Sequence, residues 1–81
     1  MHLEIITPDQ KVFVGEATAV RFPGVDGSFE VLNNHAPLIS ALHAGEVRIT
    51  SAAGRESIYI SGGVVEVLQN NVTVLAVSVT A

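Results

Sequence analysis

The fold class is decided by one stretch, Val64-Val65-Glu66-Val67-Leu68-Gln69-Asn70-Asn71-Val72-Thr73-Val74-Leu75-Ala76-Val77. It is rich in β-branched residues, which favour extended backbone because their side chains are restricted next to the main chain. Two apolar runs, 64–68 and 72–77, flank the pair Asn70-Asn71. Asn tolerates the positive φ that tight hairpin turns require. The stretch therefore predicts a β-hairpin with its tip at Asn70-Asn71.

The same pattern of short apolar runs and turn signals extends over the rest of the chain. Thr7-Pro8-Asp9-Gln10, Pro23-Gly24-Val25-Asp26-Gly27 and Ala53-Gly54 carry the residues that tight turns favour. No helical periodicity of ten or more residues is present, and many short strands in a small chain are typical of a sandwich or barrel. The sequence predicts a single all-β domain over residues 1–81, a flattened antiparallel β-sandwich or barrel of about 8–10 short strands. Nine strands are predicted, at 2–6, 11–15, 17–22, 28–32, 38–42, 46–51, 56–61, 64–68 and 72–77.

Strands differ in how many of their faces are apolar. Glu46-Val47-Arg48-Ile49-Thr50 alternates polar and apolar residues, as a strand with one solvated face does. The runs 64–68 and 72–77 are apolar on both faces. The simpler interpretation is that these are fully internal strands. The alternative is that a neighbouring loop or a partner protein covers their second face.

Charge and composition exclude several classes of function. Eight acidic residues outnumber four scattered basic ones, Lys11, Arg21, Arg48 and Arg55, so the basic stripe that nucleic-acid binding needs is missing. No apolar run approaches the roughly 20 residues of a membrane-spanning helix, and the first residues do not form a signal peptide. We expect a soluble, intracellular protein that associates with a membrane only through another protein.

The titratable residues form no recognisable catalytic or metal-binding pattern. Cys is absent, and His2, His35 and His43 do not have the spacing of a zinc site. His35 could serve as a base, a ligand or a contact residue, but no nucleophile or orienting acid is recognisable beside it. A strand rather than a helix follows Gly24 and Gly27, so a role in loop geometry is favoured over anion binding. We expect no catalytic residue, metal or cofactor.

Two further segments are predicted to be turns. Asn33-Asn34-His35-Ala36-Pro37 combines Asn side chains that hydrogen-bond locally with a proline that extends the preceding residue. Ser61-Gly62-Gly63 stands between two strong strands. Paired glycines there indicate a bulge or turn where two backbone segments come close together.

Short motifs occur in a fixed order along almost the whole chain. Together they resemble the epsilon subunit of bacterial F-type ATP synthases, and the ordered set is far more specific than any one motif. The motifs are Thr7-Pro8, Phe13-x-Gly15, Pro23-Gly24-x-x-Gly27-x-Phe29, Asn34-His35-Ala36-Pro37-Leu38, Gly45-x-Val47, Ile60-Ser61-Gly62-Gly63-x-Val65-Glu66-Val67 and Asn71-Val72-Thr73-Val74-Leu75-Ala76.

The resemblance implies a flattened sandwich of about ten strands in a non-catalytic rotor subunit of the central stalk. Such a subunit packs against the gamma subunit, sits on the c-ring, and couples proton or sodium flow to ATP synthesis. It implies a peripheral location at the cytoplasmic face of the bacterial inner membrane, and we expect a monomer when the chain is isolated. By resemblance, the gamma-facing residues are Thr7, His35, Ala36, Pro37, Leu38, Ile39, Ser40 and Thr73. The residues expected to meet the c-ring are Gly24, Val25, Asp26, Gly27 and Ser28.

The sequence departs from the family pattern at three positions, Glu30, Asn33 and Val77, where family members often have Gly, Pro and Asp. These departures affect local loop contacts. The chain ends at Ala81, where the family's C-terminal helical hairpin would begin, so it is either a naturally short member or a trimmed form. An alternative function is a small ligand- or carbohydrate-binding module. Aromatic residues make up 5% of the chain, fewer than an aromatic binding platform suggests.

Overall fold

The structure is a computed structural model, and it describes residues 1–80. Those residues form ten strands arranged in two five-stranded sheets that pack face to face, with no helix among them. The prediction of an all-β sandwich is confirmed. The strands are β1 (His2–Ile6), β2 (Lys11–Glu16), β3 (Ala19–Phe22), β4 (Phe29–Leu32), β5 (Leu38–Leu42), β6 (Gly45–Ser51), β7 (Gly54–Ile60), β8 (Gly63–Leu68), β9 (Asn71–Ala76) and β10 (Val79–Thr80).

The first sheet has the strand order β2-β1-β9-β8-β5, and the second has the order β10-β7-β6-β3-β4. Neighbouring strands are antiparallel except β1 and β9, which run parallel. The prediction of an antiparallel sandwich therefore misses one pair. That pairing joins the first strand to one from the end of the chain, and only the tertiary fold decides such a long-range pairing.

The core lies between the sheets and consists of their inward-facing apolar side chains. Phe22 and Phe29 pack with ring centroids 5.6 Å apart, in the tilted arrangement that aromatic pairs prefer. Each sheet contributes every second residue of its strands, as the pleat requires. The largest fully buried side chains are Phe22, Leu3, Ile5, Ile49, Ile60, Val20, Val31, Val47, Val65, Val67, Val72 and Val74.

The turns correct the sequence predictions in two places. The tip of the β8–β9 hairpin is Gln69-Asn70, with φ of 50° and 62°, and Asn71 already belongs to β9. The predicted tip at Asn70-Asn71 is thus one residue too late. The two-residue strand β10 was also missed, because two residues carry no detectable periodicity.

The Ser61-Gly62-Gly63 segment is a place of close backbone approach, as predicted. Gly62 and Gly63 have φ of 139° and 155°, which side-chain-bearing residues rarely adopt. A Cβ added at Gly63 would lie 2.3 Å from the Leu75 carbonyl oxygen. Glycine is therefore required for β8 to begin beside the end of β9.

Candidate docking surfaces

The outer face of the first sheet carries an exposed row of apolar side chains. The registers align Ile6 on β1 with Leu75 on β9, Leu75 with Val64 on β8, and Val64 with Ala41 on β5. We call these four residues the apolar row. Directly paired side chains of adjacent strands are about 5 Å apart, so the row is continuous across four strands.

The apolar row is open to solvent. Leu75 is 57% exposed and Val77, which follows β9, is 68% exposed. A shallow cleft of about 450 Å³ lies at this end of the sheet, lined by Ile6, Thr7, Pro8, Leu75, Ala76 and Val77. The interpretation that the runs 64–68 and 72–77 are fully internal is therefore wrong for their outer face. β8 and β9 have neighbours on both edges, but nothing among residues 1–80 covers their outward side chains.

A mixed row lies next to the apolar row. It aligns Glu4, Thr73, Glu66 and Ile39 across the same four strands. Ile39 is the most exposed large apolar side chain, at 72%. The middle of this row is therefore polar, and its exposed isoleucine lies on the edge strand β5, next to the apolar row.

The outer edge of this sheet carries a cluster of charges. The imidazole of His2 lies between two carboxylates, with Nε2 3.2 Å from Glu4 Oε2 and Nδ1 3.3 Å from Glu16 Oε2. Lys11 Nζ is 3.6 Å from the other oxygen of Glu4. These partly exposed contacts are individually weak, so we interpret the cluster as a solvated border of the apolar surface.

The residues expected to face gamma do not all point the same way. Thr73 and Ile39 project from the outer face, and Thr7 lines the cleft beside the apolar row. Leu38 and Ser40 alternate with Ile39, so they face inward, and Leu38 packs against the core. Leu38 is half-buried, so the exposed apolar side chain in this part of β5 is its neighbour Ile39, and a gamma contact by Leu38 stays a prediction.

His35, Ala36 and Pro37 form an exposed turn between β4 and β5, where the chain crosses from one sheet to the other. The His35 amide donates to the Leu32 carbonyl at 3.2 Å, and His35 Nδ1 is 2.7 Å from the Ala36 carbonyl oxygen. The adjacent amide of Asn34 donates to the Asn70 side chain at 2.8 Å. The turn is thereby fixed to the β8–β9 hairpin, at one end of the outer face.

The 24–28 loop lies at the opposite end of β5. Gly24 is buried and forms a β-bridge with Leu42, and the Val25 amide donates to the Ala41 carbonyl at 3.1 Å. A Cβ at Gly24 would approach the Phe29 ring to 2.8 Å, while Gly27 has a φ of 122°. Both glycines are required by loop geometry, as predicted. The loop is fixed at Gly24, and its exposed residues are Val25, Asp26, Gly27 and Ser28.

Glu46 is a titratable group whose neighbours displace its pKa. The Ser57 hydroxyl donates to its carboxylate, and Arg48 lies 3.3 Å away. The hydrogen bond from Ser57, together with the nearby guanidinium, lowers the pKa of Glu46. Residues 1–80 contain no group of three side chains placed to hold a metal ion. These residues form no helix, and so no helix that could span a membrane.

Sequence reasoning did not assign Ile6, Val64 and Leu75 to a docking surface. The available signal was the apolar character of both faces in the runs 64–68 and 72–77. That signal was ambiguous, because a strand buried on both sides and a strand with an exposed apolar face have the same composition.

Comparison with known proteins gives a consistent result. The chain matches the family model described as ATP synthase, Delta/Epsilon chain, beta-sandwich domain over residues 1–81. It is 42% identical to the ATP synthase epsilon chain of Salinibacter ruber, over 95% of this chain and 58% of the relative. It is 44% identical to the epsilon chain of Nitratidesulfovibrio vulgaris, over 96% of this chain and 58% of that one. The chain thus spans little more than half the length of these relatives.

Solved structures share the fold. A chain of the Euglena gracilis mitochondrial ATP synthase superposes with a TM-score of 0.89 at 22% identity, covering 96% of this chain and 51% of that one. A chain of the Tetrahymena thermophila mitochondrial ATP synthase, in a structure described as central stalk/c-ring, gives 0.84 at 14% identity, covering 98% and 64%. The resemblance to epsilon subunits is confirmed, and the chain belongs to the ATP synthase delta/epsilon beta-sandwich family.

Proposed function

We propose that this chain is the sandwich part of a non-catalytic rotor subunit in the central stalk of an F-type ATP synthase. It docks on the gamma subunit and the c-ring and helps to couple ion flow to ATP synthesis. Family membership supports this proposal, together with the names of the relatives and the description of one structural neighbour as central stalk/c-ring. The complex would hold the chain peripherally at the cytoplasmic face of the bacterial inner membrane.

The observation that carries the proposal is the exposed apolar row with Ile39 beside it. Large apolar side chains gathered on one sheet face are typical of a protein–protein contact. Leu75, Val77 and Ile39 are all more than half exposed in the isolated chain. Fully burying one such side chain contributes about 1.5–3 kcal/mol, so these residues can serve as the central contacts of a larger interface.

Gamma is the proposed partner of this outer face. Thr7, Ile39 and Thr73 lie on it or beside it, and His35, Ala36 and Pro37 border one end. Thr73 and Glu66 supply hydrogen-bonding groups at its centre, which orient a partner more than they strengthen its binding. Leu38 and Ser40 lie on the inner face of β5, beneath the proposed interface, and do not contact gamma in this proposal.

The c-ring is the proposed partner of the 24–28 loop. The loop is fixed at Gly24 and presents Asp26 to solvent. A carboxylate there fits a basic loop on the ring. An exposed ion pair of this kind contributes about 0–1 kcal/mol, so the contact orients the rotor and does not hold it in place.

The test of gamma docking uses charge insertions on the two sheet faces. Leu75→Asp and Ile39→Asp place a carboxylate on the proposed interface, whereas Tyr59→Asp places one on an exposed apolar position of the other sheet. We expect the first two to weaken binding to a purified gamma-containing subcomplex at least tenfold, equivalent to about 1.4 kcal/mol. The control should bind normally.

Circular dichroism would show that all three variants fold, because each change is at an exposed position. Equal binding by Leu75→Asp, Ile39→Asp and the unaltered chain would refute gamma docking through this face. Weakening by Tyr59→Asp alone would place the interface on the other sheet.

The c-ring contact is tested by disulfide cross-linking in the assembled complex. Cys at Val25 and Asp26 should cross-link to Cys in the polar loop of the c-ring, because these residues are exposed on the fixed loop. Cys at Ala53, in the exposed turn between β6 and β7, is the matched control. Absence of cross-links at both loop positions, or equal cross-linking at Ala53, would count against this contact.

A ligand-binding module is less consistent with the structure. The three Phe side chains are buried or pack against the core, and the Tyr59 ring is about half exposed. Stacked recognition of a sugar or a base needs an accessible aromatic surface, and a single tyrosine on a flat sheet offers little.

A further inference from the structure

The outer face of the second sheet has a chemistry of its own. Three of the chain's four basic side chains, Arg21, Arg48 and Arg55, are on its strands. The register pairs Arg21 on β3 with Arg48 on β6, and Arg48 with Ser57 on β7. Arg55 lies one outward position further along, paired with Thr50. This face is distinct from the apolar face proposed to bind gamma.

The direct pairing of Arg21 with Arg48 places two positive charges side by side. Directly opposed residues have Cβ atoms about 5 Å apart, and like charges at that distance are destabilising. Arg48 is partly compensated by Glu46, at 3.3 Å, but that carboxylate also accepts from Ser57. Glu46, which is influenced by both arginines, and Glu30 opposite Arg21 offset part of this repulsion, and an incoming anion would offset more of it.

Arg21 retains most of its hydrogen-bonding capacity. Its Nη2 donates to the Ser28 hydroxyl at 3.1 Å. It forms no ion pair within residues 1–80, although Glu30 is directly opposite on β4. A guanidinium has five N–H donors in a planar fork, so Arg21 can still bind a carboxylate through two parallel bonds.

Arg21 and Arg48 border an open cleft of about 280 Å³, lined by Arg21, Phe22, Pro23, Ser28, Glu46 and Arg48. Two guanidiniums and one carboxylate give this cleft a formal charge of +1 in a chain whose net charge is −4. A charge of +1 matches a monoanion. Glu46 repels any anion in the cleft, but it repels the phosphate dianion about twice as strongly as a carboxylate.

We propose that the Arg21–Arg48 cleft binds a carboxylate side chain in an acidic segment of a partner protein. The carboxylate bonds to the Arg21 fork and reduces the repulsion between the two arginines. The cleft lies on an open sheet face, so an extended segment can lie across it with other acidic residues near Arg55. This proposal does not depend on gamma docking, which involves the other sheet face, although the cleft shares Ser28 with the loop proposed to meet the c-ring.

The probe is hexaglutamate, with hexaglutamine as the neutral control, titrated into ¹⁵N-labelled chain while the arginine Nε–Hε signals are followed by NMR. We expect hexaglutamate to shift the Arg21 and Arg48 signals saturably, and hexaglutamine to leave them unchanged. Arg21→Gln should weaken hexaglutamate binding about three- to fivefold, the range that one exposed ion pair supports. Arg55→Gln removes the same charge from the same face and should weaken it less than twofold.

Three outcomes would overturn the proposal. One is the absence of any saturable shift in the unaltered chain. Another is equal weakening by Arg21→Gln and Arg55→Gln, which would show a general response to charge. The third is inorganic phosphate binding at Arg21 and Arg48 as tightly as hexaglutamate, which would identify a site for oxyanions in general.

Discussion

Replacement of Gly63 by alanine tests the close approach between β8 and β9. The new Cβ would lie 2.3 Å from the Leu75 carbonyl oxygen and 3.0 Å from Ala76 Cα, and both contacts are with backbone. No side-chain rotation can relieve them. The pairing of Gly63 with Ala76 would have to open, and the buried methyl of Ala76 would move with it.

The expected loss follows from two contributions. A side-chain-bearing residue at a φ of 155° carries about 1–3 kcal/mol of strain. A lost backbone hydrogen bond and the displaced packing add roughly 1–2 kcal/mol. The total, about 2–5 kcal/mol, is a large share of the free energy of unfolding of a domain this small, which is of order 4–12 kcal/mol. Tm should fall by at least about 10 °C.

Gly54→Ala is the matched control. Gly54 also has a positive φ, 124°, but no heavy atom lies within 4 Å of the added Cβ. In Gly54→Ala only backbone strain should lower the free energy of unfolding, so the two variants should differ in that free energy by about 1–2 kcal/mol. Urea denaturation followed by circular dichroism measures both. Equal losses would show that the backbone contact at Gly63 does not exist, and a larger loss at Gly54 would refute the reasoning outright.

Three further changes test the site and its supports. Leu38→Asp should unfold the chain or lower its Tm strongly because Leu38 packs on the core. Ile39→Asp should leave Tm nearly unchanged because Ile39 is exposed. Thermal melts measure both, and the opposite result would show that the two faces of β5 are assigned the wrong way round. Asn70→Ala should destabilise the fold by about 1–2 kcal/mol because alanine is strained at a φ of 62° and the acceptor of the Asn34 amide is removed. Asn70→Gly removes the same acceptor without the backbone strain, so urea denaturation should show a smaller loss of stability. An equal loss for the two variants would contradict the role of φ. Ser57→Ala should raise the pKa of Glu46 toward its ordinary value. Because that pKa is lowered in the folded chain, the stabilisation exists above the ordinary glutamate pKa and disappears as pH falls through the folded value. Carboxyl-carbon NMR titration of Glu46 measures this, and an unchanged midpoint in Ser57→Ala would exclude the hydroxyl as the cause.

The sequence was sufficient to predict most of the strands. Turn chemistry located the Thr7–Gln10 turn, which closes with an amide-to-carbonyl bond of 2.9 Å. It also indicated the glycine requirement at Gly27 and Gly63. These features depend on local backbone preferences, which a single sequence expresses directly.

The parallel β1–β9 pairing and the orientation of Leu38 could not be predicted in the same way. Alternation shows that neighbouring residues face opposite sides, but it does not show which side is the core when both are apolar. Leu38-Ile39 is such a case, and the register of β5 with β8 resolves it. Placement of Arg21 beside Arg48 likewise requires the register of β3 and β6, which are separated by two other strands along the chain.

The register that builds the core also builds the proposed docking face. Because side chains alternate with a period of two, shifting β9 by one residue against β1 would turn Val72 and Val74 outward and bring Thr73 and Leu75 into the core. The core would then hold a hydroxyl, and the apolar row would lose Leu75. Selection for the buried valines therefore also keeps Leu75 aligned with Ile6 and Val64. A substitution that preserves this register can change the chemistry of the outer face at little cost in stability. Affinity for a partner and stability of the fold should thus vary independently at exposed positions such as Ile39 and Leu75, and together at Gly63, where an added Cβ would disrupt the pairing of β8 with β9.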